Sequence, residues 1–179
     1  ETTGNKQTSN TIKTSNKLVK QNLDENGNVI ATESTVFNNA GKIISKTKTN
    51  QKGILTNSSS FQYNANNKVA IEENIDELVK IKKKSAFEYD ANNLLIKQSD
   101  YIGDELNKII NFRYQQKLLI SKTTTNKIGE EEVKLTYTYD NKDNLSQEEY
   151  YFKQKLINKK VNIFDSKNNL IETRVISPE

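Results

Sequence analysis

Three aspartates offer the first hint of chemistry. Asp90, Asp140 and Asp165 each follow an aromatic residue, as Tyr89-Asp90, Tyr139-Asp140 and Phe164-Asp165, and their recurrence suggests a calcium ladder or an acid pair. Their spacing argues against both. Placed on successive hairpins, such residues stand two strands apart, about 9 to 10 Å in a regular sheet. A glycosidase instead needs two carboxylates converging across one cleft. Asp or Asn at the entry of a turn accepts hydrogen bonds from the turn's own backbone, and that structural role is the reading adopted for all three. The rest of the inventory is spare. With no His, the chain lacks the commonest metal ligand and the commonest general base at neutral pH. With no Cys, disulfides and thiolate metal sites are excluded. No Gly-rich phosphate loop, nucleophile elbow or metal motif occurs. The expectation is a chain that is not an enzyme and uses no cofactor or metal.

A repeat positions these aspartates. Anchor residues recur at Ile12, Phe37, Tyr63, Tyr89, Tyr114, Tyr139 and Phe164, at intervals of 25 or 26 residues. Asn38, Asn64, Asp90, Asp140 and Asp165 come next, with Gln115 the exception. Three places further stand Gly41, Asn67, Asn93, Asp143 and Asn168, residue types that tolerate a left-handed backbone. Each such tetrad reads as a tight hairpin loop. Gln115-Gln116-Lys117 is shorter and lacks this chemistry, so the register is least defined there. Upstream of the anchors, Phe61-Gln62-Tyr63, Phe87-Glu88-Tyr89, Phe112-Arg113-Tyr114 and Tyr137-Thr138-Tyr139 alternate aromatic with polar, which is strand behaviour. Fainter turns at the half period, such as Asp24 to Gly27 and Asn50 to Gly53, divide each unit into two strands. Glu72 to Lys84 has some helical character, but its place in the repeat makes it strand.

The predicted fold is therefore all-β: a long antiparallel up-and-down meander of about 14 strands, built from ~25-residue hairpin repeats, in a curved or spiralling sheet. One face is expected to hold Tyr, Phe, Leu and Ile, and the other Thr, Lys, Glu, Ser and Gln. Lysines on both end strands are expected to discourage edge pairing. A parallel β-solenoid with one coil per repeat is the competing architecture, and the half-period turns count against it. Residues 1–10 are polar and aperiodic and read as a flexible tether, leaving 11–179 as a single repeat domain.

Composition narrows the partners. Hydrophobic residues make up 33% of the chain, too few for a thick core, yet their regular spacing argues against disorder. The 27 Lys and Arg are interleaved with 23 Asp and Glu, giving a net charge of +4. Lys80 to Lys84 is the densest basic stretch, and alternation divides it between two faces, so nucleic acid is not the expected partner. No apolar run is long enough to span a membrane. The absence of Met suggests a processed or trimmed product, leaving room upstream of Glu1 for an export signal, a lipid anchor or a larger parent chain.

The pattern Tyr-Asp-x-x-Asn-x-Leu-Ile, clearest at Tyr89 to Ile96, Tyr139 to Leu145 and Phe164 to Ile171, resembles the tyrosine-aspartate (YD) repeat of Rhs-type bacterial surface and toxin proteins. The likeness covers roughly Ile12 to Ile176. It departs at Phe37 and Phe164 for Tyr, and at Asn38 and Asn64 for Asp. In that family the repeats form a long spiralling sheet that can wall off a cavity. About seven copies are few for a closed shell. A flat free-standing sheet, resembling spirochaete outer surface proteins, is the other comparison.

The resemblance implies a secreted or cell-envelope location and a non-catalytic module, a scaffold or a binding surface for a protein or glycan. Tyr150-Tyr151-Phe152 must point to both faces of one strand. Either the strand is covered on both sides, or these residues with Tyr101 form an exposed aromatic platform. The alternative function is therefore a carbohydrate-binding module using those aromatics.

Overall fold

A computed structural model describes residues 8–178. Fourteen strands follow one another: β1 Thr8–Lys13, β2 Lys17–Leu23, β3 Val29–Phe37, β4 Ile43–Asn50, β5 Leu55–Tyr63, β6 Val69–Asp76, β7 Ile81–Tyr89, β8 Leu95–Ile102, β9 Glu105–Gln115, β10 Leu118–Asn126, β11 Glu131–Tyr139, β12 Leu145–Phe152, β13 Lys155–Phe164 and β14 Leu170–Ile176. They form one sheet in sequence order, β1 to β14. Among the described residues no ladder closes it into a barrel and no helix occurs. The antiparallel pairing removes the solenoid. Glu72 to Lys84 is β6, a turn and the start of β7. Of the expected tether, residues 1–7 lie outside the described residues, and Thr8, Ser9 and Asn10 belong to β1.

The turns explain why the chain reverses where it does. At Asn38 the side-chain Oδ1 accepts the backbone N–H of Ala40 at 3.0 Å and of Lys42 at 2.9 Å. The N–H of Gly41 donates to the Asn38 carbonyl at 2.9 Å, and the N–H of Asn38 to the Lys42 carbonyl at 2.8 Å. Asp24, Asn50, Asn64, Asp90, Asn126, Asp140 and Asp165 repeat this set of bonds. The fourth residue of each tetrad is left-handed, from φ 61° at Asn67 to φ 89° at Gly129. One short side chain thereby satisfies two N–H groups that the reversal would leave open. Gln116 and Lys117 form a two-residue turn with φ 51° and 81°, and Lys153 and Gln154 form another with φ 46° and 67°. Both have the left-handed pair of a type I′ hairpin without its usual Asn-Gly.

The expectation of lysines on both end strands holds at Lys13 of β1 and fails at β14, which carries Arg174 beside Glu172. The described residues divide into two compact units: 8–86 with 102–104, and 87–101 with 105–178. In the first, register places Lys46, Ser59, Asn74 and Lys83 in one row and Ser45, Ser60, Glu73 and Lys84 in a row on the opposite face. Both faces are polar along these rows, where the strands supply Ser, Lys, Asn and Glu. The expected sorting fails along these rows, which hold no apolar residue on either face. In the second unit it holds in large part, with Thr124, Lys122 and Tyr151 as the exceptions. Ile110, Thr124, Val133 and Phe152 form one row, and Phe112, Lys122, Leu135 and Tyr150 the next. The reverse face carries Asn111, Thr123, Lys134 and Tyr151. Among the described residues only Ile110 and Ser99 are buried, each 7% exposed. Stability therefore comes from ladder hydrogen bonds and cross-strand pairs rather than from a core.

Candidate binding face

The anchors stand at the ends of alternate strands, and two of them bond back to the strand before. Phe37, Tyr63, Tyr89, Tyr139 and Phe164 are the last residues of β3, β5, β7, β11 and β13, and Tyr114 is the penultimate residue of β9. The Tyr63 hydroxyl donates to the Ile43 carbonyl at 2.7 Å, and the Tyr139 hydroxyl to the Leu119 carbonyl at 3.0 Å. Ile43 faces Phe37 and Leu119 faces Tyr114, so each acceptor lies opposite the preceding anchor. Leu145, opposite Tyr139, is the equivalent acceptor in the next repeat. Phe164 has no hydroxyl to offer there, and the Asn162 amide donates to Leu145 instead at 2.9 Å. Burial pushes Tyr89, Tyr114, Tyr137 and Tyr139 above the usual tyrosine value, with the Asp90 charge adding to the effect at Tyr114.

The turn aspartates act as hydrogen-bond acceptors within their own loops. Asp24, Asp140 and Asp165 are held below the ordinary carboxylate range, first by the side-chain amides of Asn28, Asn144 and Asn169, then by the backbone N–H of those same residues. Those amides reach the second carboxylate oxygen at 3.0, 2.9 and 2.9 Å. Asp90 has Leu94 at that place and keeps only the backbone bonds. The Asn four residues after each of the three aspartates was legible in the sequence as Asp-x-x-x-Asn, but its partnership was missed. Gly41 is left-handed at φ 73° and Asn93 at φ 62°, as the turn reading requires. Asn93 Oδ1 is buried without a partner. Among the described residues no group of three or more His, Cys, Asp or Glu side chains could hold a metal ion.

The aromatic triplet splits as alternation demands. Tyr150 and Phe152 lie on the apolar face of the second unit, opposite Leu135 and Val133. Phe152 is 45% exposed, with Lys153 Nζ 5.7 Å from its ring centre. Tyr151 lies on the reverse face, and its hydroxyl donates to Glu149 Oε2 at 2.8 Å. Glu149 also accepts from Thr136 at 3.1 Å and Gln147 at 2.9 Å. The Tyr151 hydrogen bond is the main cause that lowers the Glu149 pKa, and it raises that of Tyr151. Tyr101 is on β8, four strands from β12, about 19 Å away along the sheet. The four aromatics therefore do not form one platform. Sequence alone also missed the companions that register brings to Tyr150 and Phe152, namely Ile110, Phe112, Val133 and Leu135. Lys122 Nζ lies 5.8 Å from the Phe112 ring centre on the same face.

A segment of the structure of TcdB2-TccC3 without its hypervariable C-terminal region superposes on 88% of this chain with a TM-score of 0.65 and 17% identity. The likeness is one of fold. It supports the resemblance to a YD-type β-repeat. The matched segment is 8% of that larger chain. A porin-like protein from Bacteroides uniformis ATCC 8492 aligns over 93% of this chain and 86% of its own, at a TM-score of 0.47 and 9% identity, too slight a likeness to carry an argument. No family model and no curated protein matches the sequence. Among the described residues no helix is long and apolar enough to cross a membrane.

Proposed function

We propose that the chain is a non-catalytic β-repeat module, secreted or of the bacterial cell envelope, that works as a scaffold and presents a binding surface to a protein or glycan partner. The observation that supports this most is the apolar face of the second unit. It aligns Phe112, Val133, Leu135, Tyr150 and Phe152 around the buried Ile110 in two adjacent rows, crossed on β10 by Thr124 and Lys122, and leaves Phe152 45% exposed. A large aromatic ring left exposed beside half-buried apolar neighbours is a surface that a partner can cover. The fold shared with part of TcdB2-TccC3 fits a repeat module of a larger secreted or toxin-complex assembly.

The carbohydrate-binding alternative draws on the exposed ring of Phe152 beside Tyr150. A glycan array probed with the purified chain, Phe152→Ala and Tyr151→Ala separates the readings. Specific glycan retention lost only in Phe152→Ala supports the carbohydrate reading. Retention lost instead in Tyr151→Ala places any site on the reverse face and rejects the assignment made here. Absence of glycan binding, with a defined envelope protein bound by the chain and released by Phe152→Ala, supports the scaffold. Turnover of any substrate by the purified protein at neutral pH removes the non-catalytic reading.

A further inference from the structure

The two rows of the apolar face continue onto β13, where Lys155 stands opposite Phe152 and Asn158 opposite Tyr150. Extended in this way, the rows contain Lys122 and Lys155 and no carboxylate. The turn between β12 and β13 adds a third cation, since Lys153 Nζ lies 5.7 Å from the Phe152 ring centre. The N–H of Lys153 donates to the Glu132 carbonyl at 2.8 Å, which holds that turn against β11. Further along β12 on the same face comes Glu148, and Lys160 stands opposite it. Among the described residues no ion pair engages Lys122, Lys153 or Lys155. Positive charge is therefore in excess beside the one open aromatic ring of these rows.

The shape and the charge together select the kind of ligand. A sheet face offers side chains only, because the backbone N–H and C=O groups are already used in the ladders, so an extended peptide has no strand-like way to bind here. A folded protein partner covers roughly 800 Å² on each side. Of the apolar residues in these rows only Phe152 is open, Phe112, Val133, Leu135 and Tyr150 being half-buried and Ile110 buried. Single-stranded nucleic acid stacks successive bases on several open rings, and this face has one. A sugar needs only that one. Its C–H face lies on the aromatic plane, and a carboxylate carried at its rim points sideways to the ammonium groups of Lys153 and Lys155. The Lys153 stem is flexible, so its head can leave the Phe152 ring and exchange a cation–π contact for a charge-assisted hydrogen bond. Lys122 lies two strands from β12, about 9 to 10 Å across the sheet, within reach of a further sugar of the same chain.

We propose that this face binds an acidic glycan, one whose sugars carry carboxylates, by stacking a ring on Phe152 and pairing its carboxylates with Lys153 and Lys155, Lys122 taking a further carboxylate of the same chain. The proposal rests on the binding-face reading above and narrows its glycan partner to anionic sugars. The ion pairs are solvent-exposed, so salt weakens the complex by screening them.

Calorimetric titration of the full chain with a galacturonate hexamer, with the methyl ester of that hexamer and with a thymidine hexanucleotide tests this, circular dichroism confirming the sheet in each variant. The ester keeps the sugar rings and removes their charge, so this comparison depends on no variant. The hexamer should bind, and the ester about tenfold more weakly, as the loss of two exposed ion pairs implies. Lys153→Gln and Lys155→Gln should each weaken the hexamer about two- to fivefold, and Phe152→Ala about tenfold. Lys167→Gln removes the same charge from the exposed turn at the other end of β13, and it should change binding less than about twofold. No binding of the hexamer, equal binding of the ester, an equal loss in Lys167→Gln, or equal binding of the oligonucleotide overturns the proposal. The broader reading fails separately: equal binding of the ester, lost in Phe152→Ala, removes the acidic assignment and leaves a carbohydrate site, whereas a bound envelope protein released by Phe152→Ala with no glycan bound leaves only the scaffold.

Discussion

At the residue scale, a single short side chain decides whether each turn forms. Asn38, with Oδ1 accepting from the N–H of Ala40 and Lys42, shows what an uncharged residue does at the place Asp90 occupies elsewhere. Asn38→Ala should cost roughly 1 kcal/mol in urea unfolding, since it opens two backbone donors that partly exposed water recovers. Asn38→Asp should change stability by much less. Asn93 is the opposite case: its backbone is left-handed at φ 62° and its Oδ1 is buried without a partner. Asn93→Gly removes the unpartnered oxygen and the small left-handed cost of Asn but adds Gly's own chain entropy, so the midpoint of unfolding should rise by an amount equivalent to less than about 1 kcal/mol. A fall in stability would mean that the Asn93 side chain contributes to the loop in a way its hydrogen bonding does not show. The pH dependence of the turns follows from the Asn partners. Because Asp140 and Asp165 titrate below their ordinary value when folded, they add stability above that value and lose it as pH falls through the lowered folded one. Asn144→Ala should move the Asp140 titration, followed by carboxyl NMR, back toward the ordinary range.

At the element scale, the hairpins differ in how well their sequence suits their backbone. The tetrad turns have Gly, Asn or Asp at the left-handed position, whereas Gln116-Lys117 and Lys153-Gln154 each force two long side chains there. A left-handed non-glycine residue costs roughly 1–2 kcal/mol, and Gly returns part of any gain through its own chain entropy. Replacing Gln116-Lys117 with Asn-Gly should therefore raise stability by about 1 kcal/mol, read from thermal unfolding. The same comparison separates what was legible from what was not. The tetrads were readable because their residue types are those the geometry demands. The turn after Tyr114 was not, since Gln and Lys give no local sign of the type I′ turn that pairing of β9 with β10 imposes.

At the scale of the whole molecule, the near absence of buried residues sets the thermodynamics. Unfolding exposes less new apolar surface than in a two-layer domain when, among the described residues, only Ile110 and Ser99 are fully buried and the other apolar side chains are half-buried or exposed. Calorimetry should give a heat-capacity change clearly below the ~12–15 cal/mol/K per residue of ordinary globular domains. A value inside that range would reveal apolar burial that this sheet does not provide by itself. Alkaline pH is the complementary probe. Tyr89, Tyr114, Tyr137 and Tyr139 have raised values when folded, so their contribution is intact below the unfolded tyrosine pKa of about 10 and is lost as pH rises through the raised ones. Tyrosinate absorbance should therefore lag that of a model peptide and then rise together with loss of the sheet.

Taken alone, the sequence determined a meander of about 14 strands, their antiparallel order and the turn at most reversals, because turn chemistry and period-two alternation are local and each repeat restates them. It also determined that Tyr150 and Phe152 oppose Tyr151 across the strand. Only the tertiary structure decided which residues lie beside them. A bulge or a shortened turn shifts register by one place, and that shift alone determines whether Tyr150 faces Leu135 or a polar neighbour, a choice no single strand records.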